Sequence, residues 1–449
     1  MQEQTKPVMR SYLAAARNFA SAKDTPRQFL ERSLDLLQVW EPRIGAFVHT
    51  NLLAARAAAE LSTARWRIGK PRSPIDGMPI GIKDIIETLD MPTEMGSPLF
   101  AGWRSGKDAA SVRALRDAGA VILGKTVTTE FAASEPRGTR NPWNTAHTPG
   151  GSSSGSAAAV AAGIVSAALG TQVIGSTIRP ASFCGCVGFK PSVNALNREG
   201  SHDYQSQSCT GILGASLGYV WQIAHEIVAR VGGDAGTPGL QGPDALPPAR
   251  KPSRLAVLET AGWDSASAGA SQQLNECVMR LKSAGIEIRT RHNDDKVAAL
   301  ETDLVNAAEL SHRCNGFETR WFFRAMRERD ADKLSRNILE RAQKYEDMTL
   351  AEHRADLKER ARVRAVHAEL AATCDACIAL AAPSGAPEGI GHTGNPEFAV
   401  PASLLGVPAL SLPLFAVDGM PLGLQVIAYF GRDADAFAIA AWLMQTVKQ

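Results

Sequence analysis

Three residues on separate segments have the types needed to attack a carbonyl. Lys83 lies in the apolar run Gly77-Met78-Pro79-Ile80-Gly81-Ile82-Lys83-Asp84. Ser152 lies in Gly150-Gly151-Ser152-Ser153-Ser154-Gly155-Ser156. Ser176 follows Gly175 in a second loop, 24 residues after Ser152. A lysine inside apolar sequence is costly as a cation unless it is paired. Burial lowers its pKa, and a neutral lysine is a general base. A serine hydroxyl needs such a base to become a nucleophile. One lysine and two serines therefore offer an alternative to a histidine triad. Taken singly, each has a plainer reading. The serine loop could be a turn or an anion nest, and Lys83 could be half of an ion pair.

Other short patterns fit their surroundings poorly. Gly119 to Thr126 spells the phosphate-loop pattern G-x-x-x-x-G-K-T. That loop must follow a strand and open a helix, whereas here the middle residues read as a buried strand. Gly151 to Gly155 spells G-x-S-x-G, with Ser153 as nucleophile and Asp375 or Asp418 and His392 in triad order. The nucleophile elbow needs a buried strand upstream, and residues 141–149 hold two prolines and no apolar run. Cys374-x-x-Cys377 has no second pair at zinc spacing, so buried thiols are expected. The run of Arg320, Arg324, Arg327 and Arg329 around Trp321, Phe322 and Phe323 is interleaved with acids. It reads as a charged helix with an aromatic anchor rather than an RNA contact.

The ordered set of motifs closely resembles the amidase signature family, whose members use a Ser–Ser–Lys triad. The family's lysine motif matches Gly81-Ile82-Lys83-Asp84. Its Gly-Gly-Ser-Ser-Gly-Gly-Ser motif matches Gly150 to Ser156, with Ser154 where a glycine is usual. Its nucleophile falls on Ser176, and Gly188-Phe189-Lys190-Pro191 matches a downstream motif. The resemblance returns from Thr393 to Pro396 and from Pro421 to Gln425. It implies Lys83, Ser152 and Ser176 as catalytic residues. It also implies a cis peptide bond between Gly151 and Ser152. The N–H groups of Val173, Ile174, Gly175 and Ser176 would form the oxyanion hole. Ser153, Gln172 and Arg179 would touch substrate. Gln172-Val173-Ile174-Gly175-Ser176 departs from the usual Asp-Thr-Gly-Gly-Ser, and Arg179 stands one place late. Backbone N–H donors tolerate such changes, but the pocket's polarity does not follow from the motif.

The resemblance implies hydrolysis of a small-molecule carboxamide or urea-type amide, without metal or cofactor. Three alternatives accompany it. One is a glutamine-amidase subunit of a tRNA-dependent amidotransferase. Another is an esterase acting through Ser153, and the third is a non-catalytic scaffold. A homodimer is compatible with the reading.

The elements that must position these residues follow from the whole chain. It has 449 residues, 48 basic and 46 acidic, for a net charge of +2. That balance argues against a nucleic-acid partner and against an acidic disordered chain. Seven cysteines are too few and scattered for a disulfide scaffold, which suits the cytoplasm. No apolar segment follows the first charges, so the N-terminus does not read as a signal peptide. Phe398 to Val417 has no charge and membrane-span length, but three prolines mark it as buried strand and loop.

Strands and helices interleave, so the expected class is α/β, a large mixed β-sheet with helices on both faces. A single amidase signature domain, 1–449, is expected, with a helical insertion. Residues 1–70 read as helices, opened by a cap at Thr25 to Gln28. Residues 71–231 form the catalytic core, with a short helix before Gly119 and a small-residue helix from Ser156 to Leu169. Five glycines and five prolines mark 232–252 as a loop. Residues 253–375 hold a strand and charged helices that shape the substrate pocket. Residues 376–449 return as strands and a final helix to complete the sheet.

Overall fold

The computed structural model describes residues 6–21, 23–133 and 135–447; residues 1–5, on which the signal-peptide reading partly rests, lie outside them. Among the described residues eleven strands form one sheet. They are β1 (Phe47–Thr50), β2 (Pro79–Lys83), β3 (Val121–Thr126), β4 (Ala167–Gln172), β5 (Val187–Lys190), β6 (Cys209–Gly214), β7 (Arg254–Val257), β8 (Glu287–Arg289), β9 (Ala376–Leu380), β10 (Ala409–Val417) and β11 (Met420–Ile427). Their spatial order is β1-β3-β2-β4-β6-β5-β10-β11-β9-β7-β8. The β2 strand is parallel to both β3 and β4, while β4 is antiparallel to β6. The sheet is thus mixed, and the Gly/Pro-rich segment is crossed without a break in it.

Alternation along the strands explains the helical layers. Val121 and Leu123 pack on one face with the helices Pro26–Ile44 and Ser154–Ala161. Ile122, Ile80 and Ile82 pack on the other with Val112, Leu115 and Trp221. Central strands buried on both faces read as unbroken apolar runs.

Several local expectations need correction. The N-terminal region contains β1 between its helices. The small-residue helix spans only Ser154–Ala161, and Gly163 ends it with φ of +71°. The next element is β4, whose Ala, Gly and Thr residues have little strand preference of their own. Pairing with β2 and β6 on both sides decides their conformation. Phe398 to Val417 includes a helix, Val400–Leu405, with a proline in its first turn, where no N–H is missed. Gly406 in the left-handed conformation ends it before β10. The Thr25 hydroxyl accepts from the Gln28 N–H, and Thr349 with Glu352 forms a full capping box. Among the described residues no helix is long and apolar enough to cross a membrane.

Candidate active site

Lys83 ends β2, in the middle of the sheet's parallel portion. Its side chain is fully buried. The Nζ lies 2.7 Å from Ser152 Oγ and 2.7 Å from Thr171 Oγ1 on β4. No carboxylate pairs with it among the described residues. The neighbouring acid, Asp84, pairs instead with Lys125 at 3.1 Å. This separates Lys83 from two other buried lysines. Lys125 has Asp84 and the Pro92 carbonyl, and Lys190 donates to the Pro191 and Val407 carbonyls. Burial pulls the Lys83 pKa down to about 7, opposed by the negative charge of Asp203. The amine is therefore poised between its charged and neutral forms near neutral pH. A neutral amine keeps a lone pair, so it can accept the Ser152 proton.

Ser152 sits in a loop held from several sides. The Gly151–Ser152 peptide bond is cis. Arg179 donates to the Gly151 carbonyl at 2.7 Å, to Thr393 Oγ1 at 3.1 Å and to the Gly394 carbonyl at 2.8 Å. The Ser153 N–H donates to the Ser176 carbonyl at 3.3 Å, tying the two serine loops together. The helix after this loop packs tightly under the sheet. A Cβ at Gly155 would lie 2.1 Å from the Ala46 carbonyl oxygen and 2.4 Å from the Val127 nitrogen. Only glycine fits that approach.

Ser176 lies between β4 and the helix Ile178–Cys184. The N–H groups of Val173, Ile174, Gly175 and Ser176 donate no hydrogen bond among the described residues. These four residues line a cavity of about 300 Å³. Among the described residues the Ser176 hydroxyl makes no hydrogen bond either, and none joins it to Ser152. Four unengaged N–H donors beside a free hydroxyl suit a developing oxyanion.

The three residues expected to touch substrate fare differently. Gln172 does not reach the cavity. Its Oε1 accepts from the Thr177 and Ile178 N–H groups at 2.8 and 2.9 Å, and its Nε2 donates to Ser403 Oγ at 3.0 Å. It braces the Ser176 loop and caps the next helix. Ser153 is fully buried, and its Oγ is held by the Thr171 backbone at 3.3 Å. Arg179 lines the cavity, but its guanidinium is committed to the three loop contacts.

The competing patterns dissolve for physical reasons. Gly124-Lys125-Thr126 is part of β3, with its backbone paired to neighbours. His392 bonds to the Glu388 carbonyl, and Asp375 accepts from the Ser253 and Arg254 N–H groups. Neither is near enough to Ser153 for a hydrogen bond. Cys374 and Cys377 are buried in the core, where desolvation pushes their thiols up. Arg324 and Arg327 pair with Glu328 and Glu346.

Sequence motifs missed the far wall of the cavity. Phe131, Asp203 and Gln205 line it from the sheet side, and His312, Phe323 and Arg341 from the helical region. Only Phe323 had a signal, as the aromatic anchor of its helix. It packs with Phe131, Leu334 and Ile338 in a small apolar cluster.

The family model described as Amidase matches residues 28–436. A glutamyl-tRNA(Gln) amidotransferase subunit from Anaeromyxobacter sp. (strain K) is 31% identical over 453 residues, covering 92% of this chain and 91% of that protein. A crystal structure of an amidase superposes with a TM-score of 0.82 at 28% identity, covering 97% of this chain and 99% of the other. The peptide amidase of Stenotrophomonas maltophilia superposes with a TM-score of 0.78 at 25% identity, covering 96% and 95%.

Proposed function

The chain belongs to the amidase family, and from that premise we propose that it hydrolyses the C–N bond of a small-molecule carboxamide through an acyl-enzyme on Ser176. The observation that carries this reading is the environment of Lys83. It is a fully buried amine with no acid partner among the described residues, 2.7 Å from a serine hydroxyl that borders the Ser176 loop.

In this mechanism neutral Lys83 accepts the Ser152 proton, and Ser152 accepts the proton of Ser176. The Ser176 oxygen attacks the carbonyl carbon. The N–H groups of residues 173–176 hold the oxyanion. Collapse breaks the C–N bond, and the proton on Lys83 returns through Ser152 to the leaving nitrogen. Water then attacks the ester by the same route and frees the acid. The relay requires the Ser176 hydroxyl to turn toward Ser152. Such contacts commonly tighten only with substrate bound.

Labelling with a fluorophosphonate tests the assignment. The label is expected on Ser176 and is expected to be lost in Lys83→Ala. A label on Ser153 instead would support the elbow arrangement and overturn this one.

The pH profile gives a second check. The base must be neutral, so kcat/KM is expected to rise with pH through an apparent pKa of about 7. At pH 6 it should have fallen roughly tenfold from the plateau. A flat profile between pH 6 and 8 would remove Lys83 as the base.

Similarity to the amidotransferase protein favours a second reading, in which the chain supplies ammonia within a complex. In that case the isolated chain would be inert with glutamine. Steady hydrolysis of simple amides by the isolated protein would decide for the first reading.

A further inference from the structure

Resting on the hydrolase reading, one side chain in the cavity bears on which amides enter it. Arg341 lies on the helix Arg336–Lys344. Ile338 and Ala342 of that helix are buried against Phe131 and Phe323. Arg341 is three residues from Ile338, so it shares the inward face. The helix is fixed to the catalytic core at its start. The Ser335 N–H donates to Glu130 Oε2 at 3.2 Å, and Asn337 donates to Glu135 at 2.5 Å.

The Arg341 guanidinium has no hydrogen bond and no carboxylate partner among the described residues, and its Nε is buried without an acceptor. Its neighbours are different. Glu340 is held by Arg336 at 2.6 Å on the outer side. Asp203, the acid lining the same cavity, accepts from Ser201 and Ser208 at 2.7 and 2.6 Å. Arg179, the other arginine in the cavity, also has a buried Nε without a partner, but both its terminal nitrogens are held by the loop contacts, whereas neither of Arg341's is. The Arg341 Cζ lies 5.5 Å from the centre of the Phe323 ring, which covers one side. Arginine stays charged, and this half-buried guanidinium, with Nε shut away from solvent and no protein acceptor, gains from an anion in the cavity.

We infer that Arg341 receives a carboxylate of the substrate, making short carboxylate-bearing amides the preferred class. A single planar fork matches a carboxylate in two parallel hydrogen bonds. Phe131 and Phe323 supply apolar wall for a short connecting chain, and Ser176 lies on the same cavity.

Binding tests this without turnover, so it separates from the catalytic reading. Ser176→Ala and Ser176→Ala/Arg341→Met are titrated calorimetrically with glutaric acid monoanilide and with pentananilide, its neutral counterpart. In the first protein the anionic anilide should bind more tightly. Adding Arg341→Met should weaken it about 10- to 100-fold and change pentananilide less than about threefold. Arg341→Lys should recover part of the loss. Equal weakening of both ligands, equal affinity for both in the first protein, or no binding of the anionic one overturns the proposal. Circular dichroism melts confirm that each variant is folded. Failure of the wild type to turn over any amide would count against the hydrolase reading and leave the binding result intact.

Discussion

Ser176→Ala is expected to lower kcat on a good amide substrate by about four to six orders of magnitude. Substrate affinity should change little, because the hydroxyl's main interaction arises in the covalent step. The reason for so large an effect is that no second nucleophile is placed to replace it. Ser152 is occupied with Lys83, and Ser153 is held by the Thr171 backbone. The remaining N–H donors would still polarise a bound carbonyl, which explains why some residual rate should persist. The fold should be nearly indifferent. The Ser176 hydroxyl makes no hydrogen bond among the described residues, so removing it should shift stability by less than about 0.5 kcal/mol. Rapid-quench kinetics and a urea melt on the same sample check both halves. Full turnover in the variant would end the assignment, and a matching loss in Ser153→Ala alone would move it to the elbow serine.

Which features were legible in the sequence depends on how local each one is. Lys83, Ser152 and Ser176 are marked by neighbours along the chain, glycines and small residues that a tight loop needs. Their mutual approach then depends only on β2, β4 and two loops. Gln172 and Ser153 looked equally chemical, being polar and adjacent to the nucleophile segments. Their side chains turn to backbone groups instead, because loop donors beside a buried strand must be satisfied. A sequence does not show which polar side chain will serve that need. The far wall is harder still. Asp203, His312 and Arg341 lie on three different segments, and only folding brings them to one cavity. Arg341 stands in a run dense with charges, and its lack of a partner among the described residues is a tertiary fact. The sheet shows the same divide. Strands rich in apolar residues between turn signals, such as β9, were legible, whereas the Ala-Ala-Leu-Gly-Thr-Gln of β4 acquires strand form from its neighbours.

Lys83→Met separates catalytic from structural need, because the two should move differently with pH. Methionine keeps an unbranched apolar stem but cannot accept a proton. Loss of the base should lower kcat/KM by about 10²- to 10⁴-fold. The rising limb near pH 7 should vanish from what activity remains. Stability responds to the protonation of the buried amine. In the native state the Lys83 pKa is about 7, against 10.5 for a free lysine. Between these values the unfolded chain binds a proton that the native chain does not. Wild-type stability therefore rises with pH from about 7 to 10.5 through this group, and the slope ends below 7, where both states are protonated. The methionine variant lacks the contribution. Lys125 and Lys190 are also buried, but both proteins contain them, so they cancel. The stability of Lys83→Met relative to wild type should thus increase as pH falls from about 9.5 to 7, then level off. It starts from a deficit at high pH, since Ser152 and Thr171 lose their shared partner. Urea midpoints for both proteins across that range measure the difference. A constant gap would mean that Lys83 keeps its charge on folding, and the proton relay would then lack a base.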